Sequence, residues 1–274
     1  MTDAAARLDA PSLETWEDAP SWNGLRTAAI GRLDGTDPDA LAARIEAECD
    51  RLRAAGFEAV IGPMEGDTWH AYRYAVESDG SAYFLMEPPS APFALEALGR
   101  AGFDTIETYS SSRSTLVAIP EPARLDGVTV APWDGSDPER FLADVYALSC
   151  EAFAKNPFYK PLDRAGFDRI YRPLVPMLDR RLVRFAHDAE GGLLGFVFGF
   201  PQLRAPGTCV LKTYASRRRG VGRVLLDAFH AAAGEAGFDT VIHALMHDGN
   251  ESLDRSGRHG GTRFRRYALL GRRL

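Results

Sequence analysis

The chain has 274 residues, 45% of them apolar and 10% aromatic, and a net charge of −6. That length builds one large domain or two modest ones with real cores, and the acidic balance, with a pI near 5.6, gives no overall pull toward nucleic acid. The first twenty residues lack the basic leader and apolar run of an export signal, and no later segment reaches the ~20 apolar residues of a membrane helix, so a cytoplasmic protein without a membrane or nucleic-acid partner is expected. Cys49, Cys150 and Cys209 are scattered, odd in number and without metal-ligand spacing, which suits small buried hydrophobes better than disulfides or zinc.

In chain order, Leu41, Ile45, Cys49 and Leu52 fall at helical spacing, Gly56 follows as a stop, and Phe57 to Ile61 reads as a strand. Thr36 or Asp37 supplies a helix cap and Pro38 suits the first turn. Next, "GPMEGDTWHAYRY" concentrates Gly62, Pro63, Trp69, His70, Tyr72 and Tyr74; it reads as a turn followed by aromatic core residues, or as the wall of a pocket between two halves. Much later the first pattern returns. In "GVGRVLLDAFHAAAGEAGFDTVIHAL" one helical face carries Val221, Leu225, Phe229 and Ala232, Gly237 stops the helix, and Phe238 to Ile242 is a strand. "AGFEAVI" and "AGFDTVI" align without a gap, and Leu95 to Tyr109 aligns with Leu253 to Tyr267. Two related strand-helix-strand-helix-strand units are expected, in residues 1–120 and 121–274.

The copies differ where it matters. Arg217 to Gly222 faces Thr36 to Leu41, so an acidic helix start in the first copy becomes a run of arginine and glycine in the second. A helix N-terminus offers unpaired N–H groups and partial positive charge; Gly220 and Gly222 let a phosphate come close, and Arg217, Arg218, Arg219 and Arg223 can neutralise it. The run lacks the Gly-Lys-Ser/Thr of a Walker loop, and Leu225 stands where a dinucleotide fingerprint requires glycine. It does fit Arg/Gln-x-x-Gly-x-Gly/Ala, read as Arg217, Gly220 and Gly222, between a strand at Cys209 to Thr213 and an amphipathic helix at Gly222 to Ala233.

On these residues the chain resembles the GCN5-related N-acetyltransferase (GNAT) family, over roughly Gly127 to Leu274. "VTVAPWDG" is similar to the family's opening strand, "DPERFLADVYALSCEAFAKNPFYKP" to its first helices and substrate-side loop, "LVRFAHDAEGGLLGFVFGF" to its hairpin, and "HDGNESLDRSG" to the turn that sets an asparagine near the cofactor, here Asn250 with Ser252. The resemblance implies an α/β (α+β) fold, a mixed central sheet flanked by helices, built from two GNAT-like units of which the first lacks the cofactor loop. It further implies acetyl-CoA as cofactor, backbone contacts to the thioester arm from Leu211, Lys212 and Thr213, and a small-molecule or larger primary amine as acceptor. The chain departs from the family in two places. Only Tyr214, Ala215 and Ser216 separate the motif strand from Arg217, a short approach, and the tyrosine that the family often carries on its last helix as an acid is missing.

Removing a proton from an amine of pKa ~10.4 requires a base or a water chain, and a coenzyme thiolate of pKa ~8.5 gains from an acid. Candidate substitutes are His243 and His247, at alternating positions on one face of the strand after the motif helix, and Tyr267. Each also reads as structural: a packed strand histidine, a loop-edge residue and a core aromatic. Glu151 on the first helix of the second unit recognises an ammonium or is a solvated helix residue. Arg263, Arg265, Arg266, Arg272 and Arg273 alternate with apolar residues as in an edge strand. Two functions follow: an N-acetyltransferase, or a non-catalytic acyl-CoA-binding or regulatory protein on the same fold.

Overall fold

The computed structural model describes residues 11–116 and 123–274, so the expected boundary at 120/121 lies outside the described residues. Before it run β1 (Ser12–Trp16), β2 (Thr27–Asp34), α1 (Pro38–Ala54), β3 (Ala59–Gly62), β4 (Tyr74–Ser78), α2 (Pro92–Arg100) and β5 (Asp104–Thr115). After it follow β6 (Thr129–Pro132), α3 (Pro138–Phe153), α4 (Arg164–Tyr171), β7 (Val183–His187), β8 (Leu193–Pro201), β9 (Thr208–Ser216), α5 (Val221–Glu235), β10 (Thr240–His247), α6 (Glu251–Arg258) and β11 (Thr262–Arg273).

Local chemistry accounts for the two long amphipathic helices. In α1 the Asp37 carboxylate accepts the Asp39 N–H at 2.9 Å, and Leu41, Ile45, Cys49 and Leu52 are all buried, the stripe that the spacing predicts. In α5, Leu225 and Phe229 are fully buried against β7, β8 and β9, each contributing about 1.5–3 kcal/mol relative to exposure.

All described strands join one mixed sheet in the order β1-β2-β3-β11-β5-β10-β9-β8-β7-β6, with β4 added alongside β11. Two parallel pairs, β2–β3 and β9–β10, are each linked through a helix, α1 and α5; the other pairings are antiparallel. This is the α/β architecture expected, a mixed open sheet of 11 strands flanked by six helices among the described residues.

Register shows how the halves meet. Tyr267 lies opposite Tyr109, and the pairs on either side run symmetrically about them: Arg266 with Ser110 and Ala268 with Thr108, Thr262 with Arg113 and Gly271 with Asp104, a bulge in each direction included. The symmetry continues outward, with Val241 opposite Ser114 on one side and Arg272 opposite Val60 on the other. Each half therefore sends its last strand into the other: β5 flanks β10, and β11 flanks β3.

This corrects the reading of the C-terminal arginines. Strand β11 is not an edge; it pairs with β5 on one side and with β3 and β4 on the other. Arg265, 1% exposed, is held there by a 2.7 Å ion pair to Glu87 and a bond from Nε to Ser78 Oγ. A period-2 alternation of charged and apolar residues says that two faces differ; Glu87, distant in sequence, lets Arg265 sit in the interior, while Arg263 and Arg273 stay exposed.

Candidate active site

Strands β9 and β10 are hydrogen-bonded only along their first four residues, Thr208 to Leu211 against Thr240 to His243. Beyond that point they part. Thr213 to Ser216 pair only with β8, and Met246 and His247 only with β5, so two strand edges with backbone donors and acceptors face a common opening. Two irregularities set the divergence: Lys212 is the extra residue of a bulge against β8, and β10 shifts register after His243, where Leu245 takes φ +57°. The opening leads into a cleft of about 760 Å³.

Several expected residues meet in this cleft. Leu211, Lys212, Thr213, Asn250 and Ser252 line it, together with His243 and His247. The segment Thr68 to Arg73 forms another wall, while Gly62, Pro63 and Tyr74 are buried in the interior, so both readings of "GPMEGDTWHAYRY" hold for different parts of it. Trp69 donates its indole N–H to the Lys160 carbonyl at 2.9 Å, tying that wall to the loop after α3.

The arginine run forms the turn between β9 and α5. Because β9 extends to Ser216, the short approach seen in the sequence is absorbed as strand, and the turn is confined to Arg217–Gly220. Gly220, at φ +90°, is the N-cap of α5 and gives no side-chain cap, in contrast to Asp37 on α1. Val221 begins the helix, and a Cβ on Gly222 would stand 2.9 Å from Arg255 Nη1 and 3.4 Å from the Tyr214 ring. Arg217 is ion-paired with Glu151 at 3.0 Å, which engages the carboxylate considered for ammonium recognition. Arg218 donates to the Asp126 carbonyl at 3.2 Å, Arg223 lies 3.9 Å from Asp227, and Arg219 is exposed with no ion pair among the described residues.

Arg255 and Tyr214 are additions from the structure. Arg255, on α6, reaches over the start of α5 and donates to the Tyr214 hydroxyl at 3.4 Å while pairing with Glu251 on its own helix. Burial raises the Tyr214 hydroxyl pKa, and the guanidinium opposes that shift. In the sequence Arg255 is only an i+4 partner of Glu251, and no local signal relates it to Gly222.

The three proposed acid–base side chains have different surroundings. His247 has both nitrogens engaged: Nδ1 accepts the Gly249 N–H at 3.1 Å, and Nε2 donates to Glu107 at 2.6 Å. Tyr267 is fully buried, its hydroxyl bonded to Ser111 Oγ at 3.0 Å and to Glu87, and it is not among the cleft-lining residues. His243 bonds Ser256 Oγ through Nδ1 at 2.6 Å and His230 through Nε2 at 2.8 Å. The bulge after His243 breaks the alternation expected to set His243 and His247 on one face: His243 reaches α5 and α6, His247 reaches β5.

Burial pushes the His230 pKa down to about 2 and the His243 pKa down to about 3, with neighbouring histidine charge adding to the shift, so both rings are neutral at pH 7. Nδ1 of His230 has no partner. A buried orphan donor is costlier than an orphan acceptor, which assigns the proton of His230 to Nε2, donating to His243. His243 then carries its own proton on Nδ1 and donates to Ser256, leaving the hydroxyl hydrogen of Ser256 free to point into the cleft that Ser256 lines.

Lys212 emerges with a side-chain environment as well as a backbone position. Its Nζ is 3.4 Å from the Met86 carbonyl, and desolvation, with Arg73 adding to it and Glu87 opposing, lowers its pKa to about 7.

By sequence, neither a family model nor a curated protein matches the chain. By structure it is similar to a GCN5-related N-acetyltransferase from Sphaerobacter thermophilus, with TM-score 0.58 and 15% identity over 96% of this chain and 76% of that one. A tandem GNAT protein from the clavulanic acid biosynthesis pathway superposes at TM-score 0.55 and 16% identity, covering 96% and 83%. A conserved protein from Enterococcus faecalis V583, a probable N-acyltransferase, does so at TM-score 0.60 and 10% identity, covering 97% of this chain and 59% of that one. Such identities speak to architecture, and the architecture is unambiguous: this chain has the fold of the GCN5-related N-acetyltransferases.

Proposed function

We propose that the protein is an acetyl-CoA-dependent N-acetyltransferase of the cytoplasm, acting on a primary amine, in which residues 121–274 carry the coenzyme site and residues 1–120 complete the acceptor cleft as a GNAT-like unit without that site. The observation that carries this reading is the parting of β9 from β10 directly beside the Arg217–Gly222 turn. An extended amide-bearing arm can pair with the exposed edges of Lys212 to Ser216 and Ala244 to His247, while its phosphates meet the N-terminus of α5, Arg219, Arg223 and Arg255. In the first half the same helix end is closed by Asp37 and carries Asp39, which would repel a phosphate.

Acetyl-CoA supplies an activated thioester. On the acceptor side, Lys212 with a pKa near 7 has a large neutral fraction at physiological pH and suits the removal of an ammonium proton. On the leaving-group side, the Ser256 hydroxyl is far weaker as an acid than a thiol, so it stabilises the departing thiolate by donating a hydrogen bond rather than a proton. His243 holds the serine oxygen in place.

Calorimetric titration with acetyl-CoA, followed by thiol release across a panel of amines, tests the reading. Gly222→Asp is expected to weaken coenzyme binding more than tenfold while the fold survives, because the new side chain meets the flexible end of Arg255 and not backbone. Equal affinity in wild type and variant would remove the motif assignment. A second reading, an acyl-CoA-binding or regulatory protein without turnover, draws on Ser256, which lines the cleft from a helix that carries no tyrosine; binding without thiol release for any amine would select it.

A further inference from the structure

The wall of the cleft that comes from the first half holds a buried cation with no counter-ion. Arg73 is 6% exposed and lines the cleft. Its Cζ stands 4.0 Å from the centre of the Tyr72 ring and 4.1 Å from that of Tyr109, so aromatic carbon covers part of the guanidinium. Nε and Nη1 are buried and have no hydrogen-bond partner, and no carboxylate pairs with the group among the described residues. The contrast with other buried charges is direct. Arg265 has Glu87, Ser78 and Ser81, and Glu48 has Arg51 and Thr15. A guanidinium kept from water and left unpaired is destabilising, and backbone strain adds to it, since Arg73 takes φ +64°. The two carboxylates that line the cleft are committed elsewhere, Glu87 to Arg265 and Tyr267 and Glu251 to Arg255, and so are Glu107 to His247 and Asp67 to His70.

We propose that Arg73 is the binding site for a carboxylate carried by the acyl acceptor, so that the substrate class is an amino acid or another amine bearing a carboxylate in the same small molecule. The proposal rests on the acyl-transfer reading for the role of the amine, but the anion site stands on the orphaned donors and the cleft alone. A carboxylate is planar and monoanionic, and the in-plane N–H donors of a guanidinium partly covered by tyrosine rings match that shape. Lys212, in the same cleft, is then placed to receive the amine end.

The test uses the full chain and the ω-amino acids from glycine to 6-aminohexanoate, each against its neutral amide, with inorganic phosphate as a further probe. Binding is followed by calorimetry and by the Arg73 Nε–H resonance, assigned through its loss in Arg73→Lys. At least one amino acid is expected to bind tenfold or more tightly than its amide and to shift that resonance saturably. Arg73→Gln should abolish the preference and leave coenzyme A affinity unchanged. If no amino acid outbinds its amide, if Arg73→Gln retains the preference, or if phosphate alone moves the resonance, the proposal is overturned. Should Arg73→Gln not fold, the wild-type comparison of acid with amide still decides. Carboxylate binding at Arg73 without thiol release would sink the acyl-transfer reading and keep this one; thiol release indifferent to the carboxylate would do the reverse.

Discussion

Lys212 stands at a bulge of β9, facing Arg73 from the first half, Glu87 and the Met86 carbonyl. A base whose pKa is depressed to about 7 is active when deprotonated, so kcat/KM is expected to rise with pH through about 7 and level off above it. Lys212→Met should remove that limb of the profile and lower the rate at pH 8 by about 10²-fold; a profile unchanged in shape would return Lys212 to its backbone role. Arg255 bears on the other end of the site. It lies against Gly222 and Tyr214 from a helix that adds no other contact to that turn in the described ion pairs. Arg255→Ala is expected to weaken coenzyme A binding by about tenfold, the scale of one charge-assisted hydrogen bond, with the loss shrinking in high salt.

At the scale of elements, α5, β10 and α6 are joined by the chain from His230 to His243 to Ser256. Both histidines have native pKa values well below the ordinary 6.5, about 2 and about 3. Between those values and 6.5 the unfolded chain binds protons that the native chain does not, so stability is fully present above pH 6.5 and is lost as pH falls toward 3. From pH 6.5 to about 4.5 the decrease should be on the order of 2–4 kcal/mol for the coupled pair, measured by urea unfolding, and His230→Leu should flatten the slope. The helices themselves were readable from spacing: α1 and α5 bury the residues that periodicity selects. The bulge in β10 was not, because a register shift arises from what the neighbouring strands allow, and "HALMH" carries no residue that demands it.

For the whole molecule, the exchange of β5 and β11 means that neither half closes its own sheet. β11 fills the place beside β3, β5 fills the place beside β10, and the two meet at Tyr109 and Tyr267. Residues 1–116 and 123–274 produced separately are expected to be unfolded or aggregated, each with an unpaired strand and an uncovered core; produced together they should reconstitute a 1:1 complex. Two independently folded fragments with sharp near-ultraviolet spectra would contradict this. The cleft obeys the same logic, for Arg73, Glu87 and Tyr109 come from the first half and Lys212, His243 and Ser256 from the second.

The sequence by itself determined the helices and strands whose burial follows a period, the internal alignment that sets Arg217–Gly222 against Thr36–Leu41, and the change of chemistry at that one helix start. Those are local properties, set by spacing, caps and turn residues within a few positions. Tertiary structure alone decided that β9 and β10 separate, that Arg255 covers Gly222, that Arg265 is neutralised by Glu87 inside the sheet, and that Arg73 is buried without a partner. Each of these depends on which distant residue arrives as a neighbour, and burial, desolvation and pairing take their values from that neighbour.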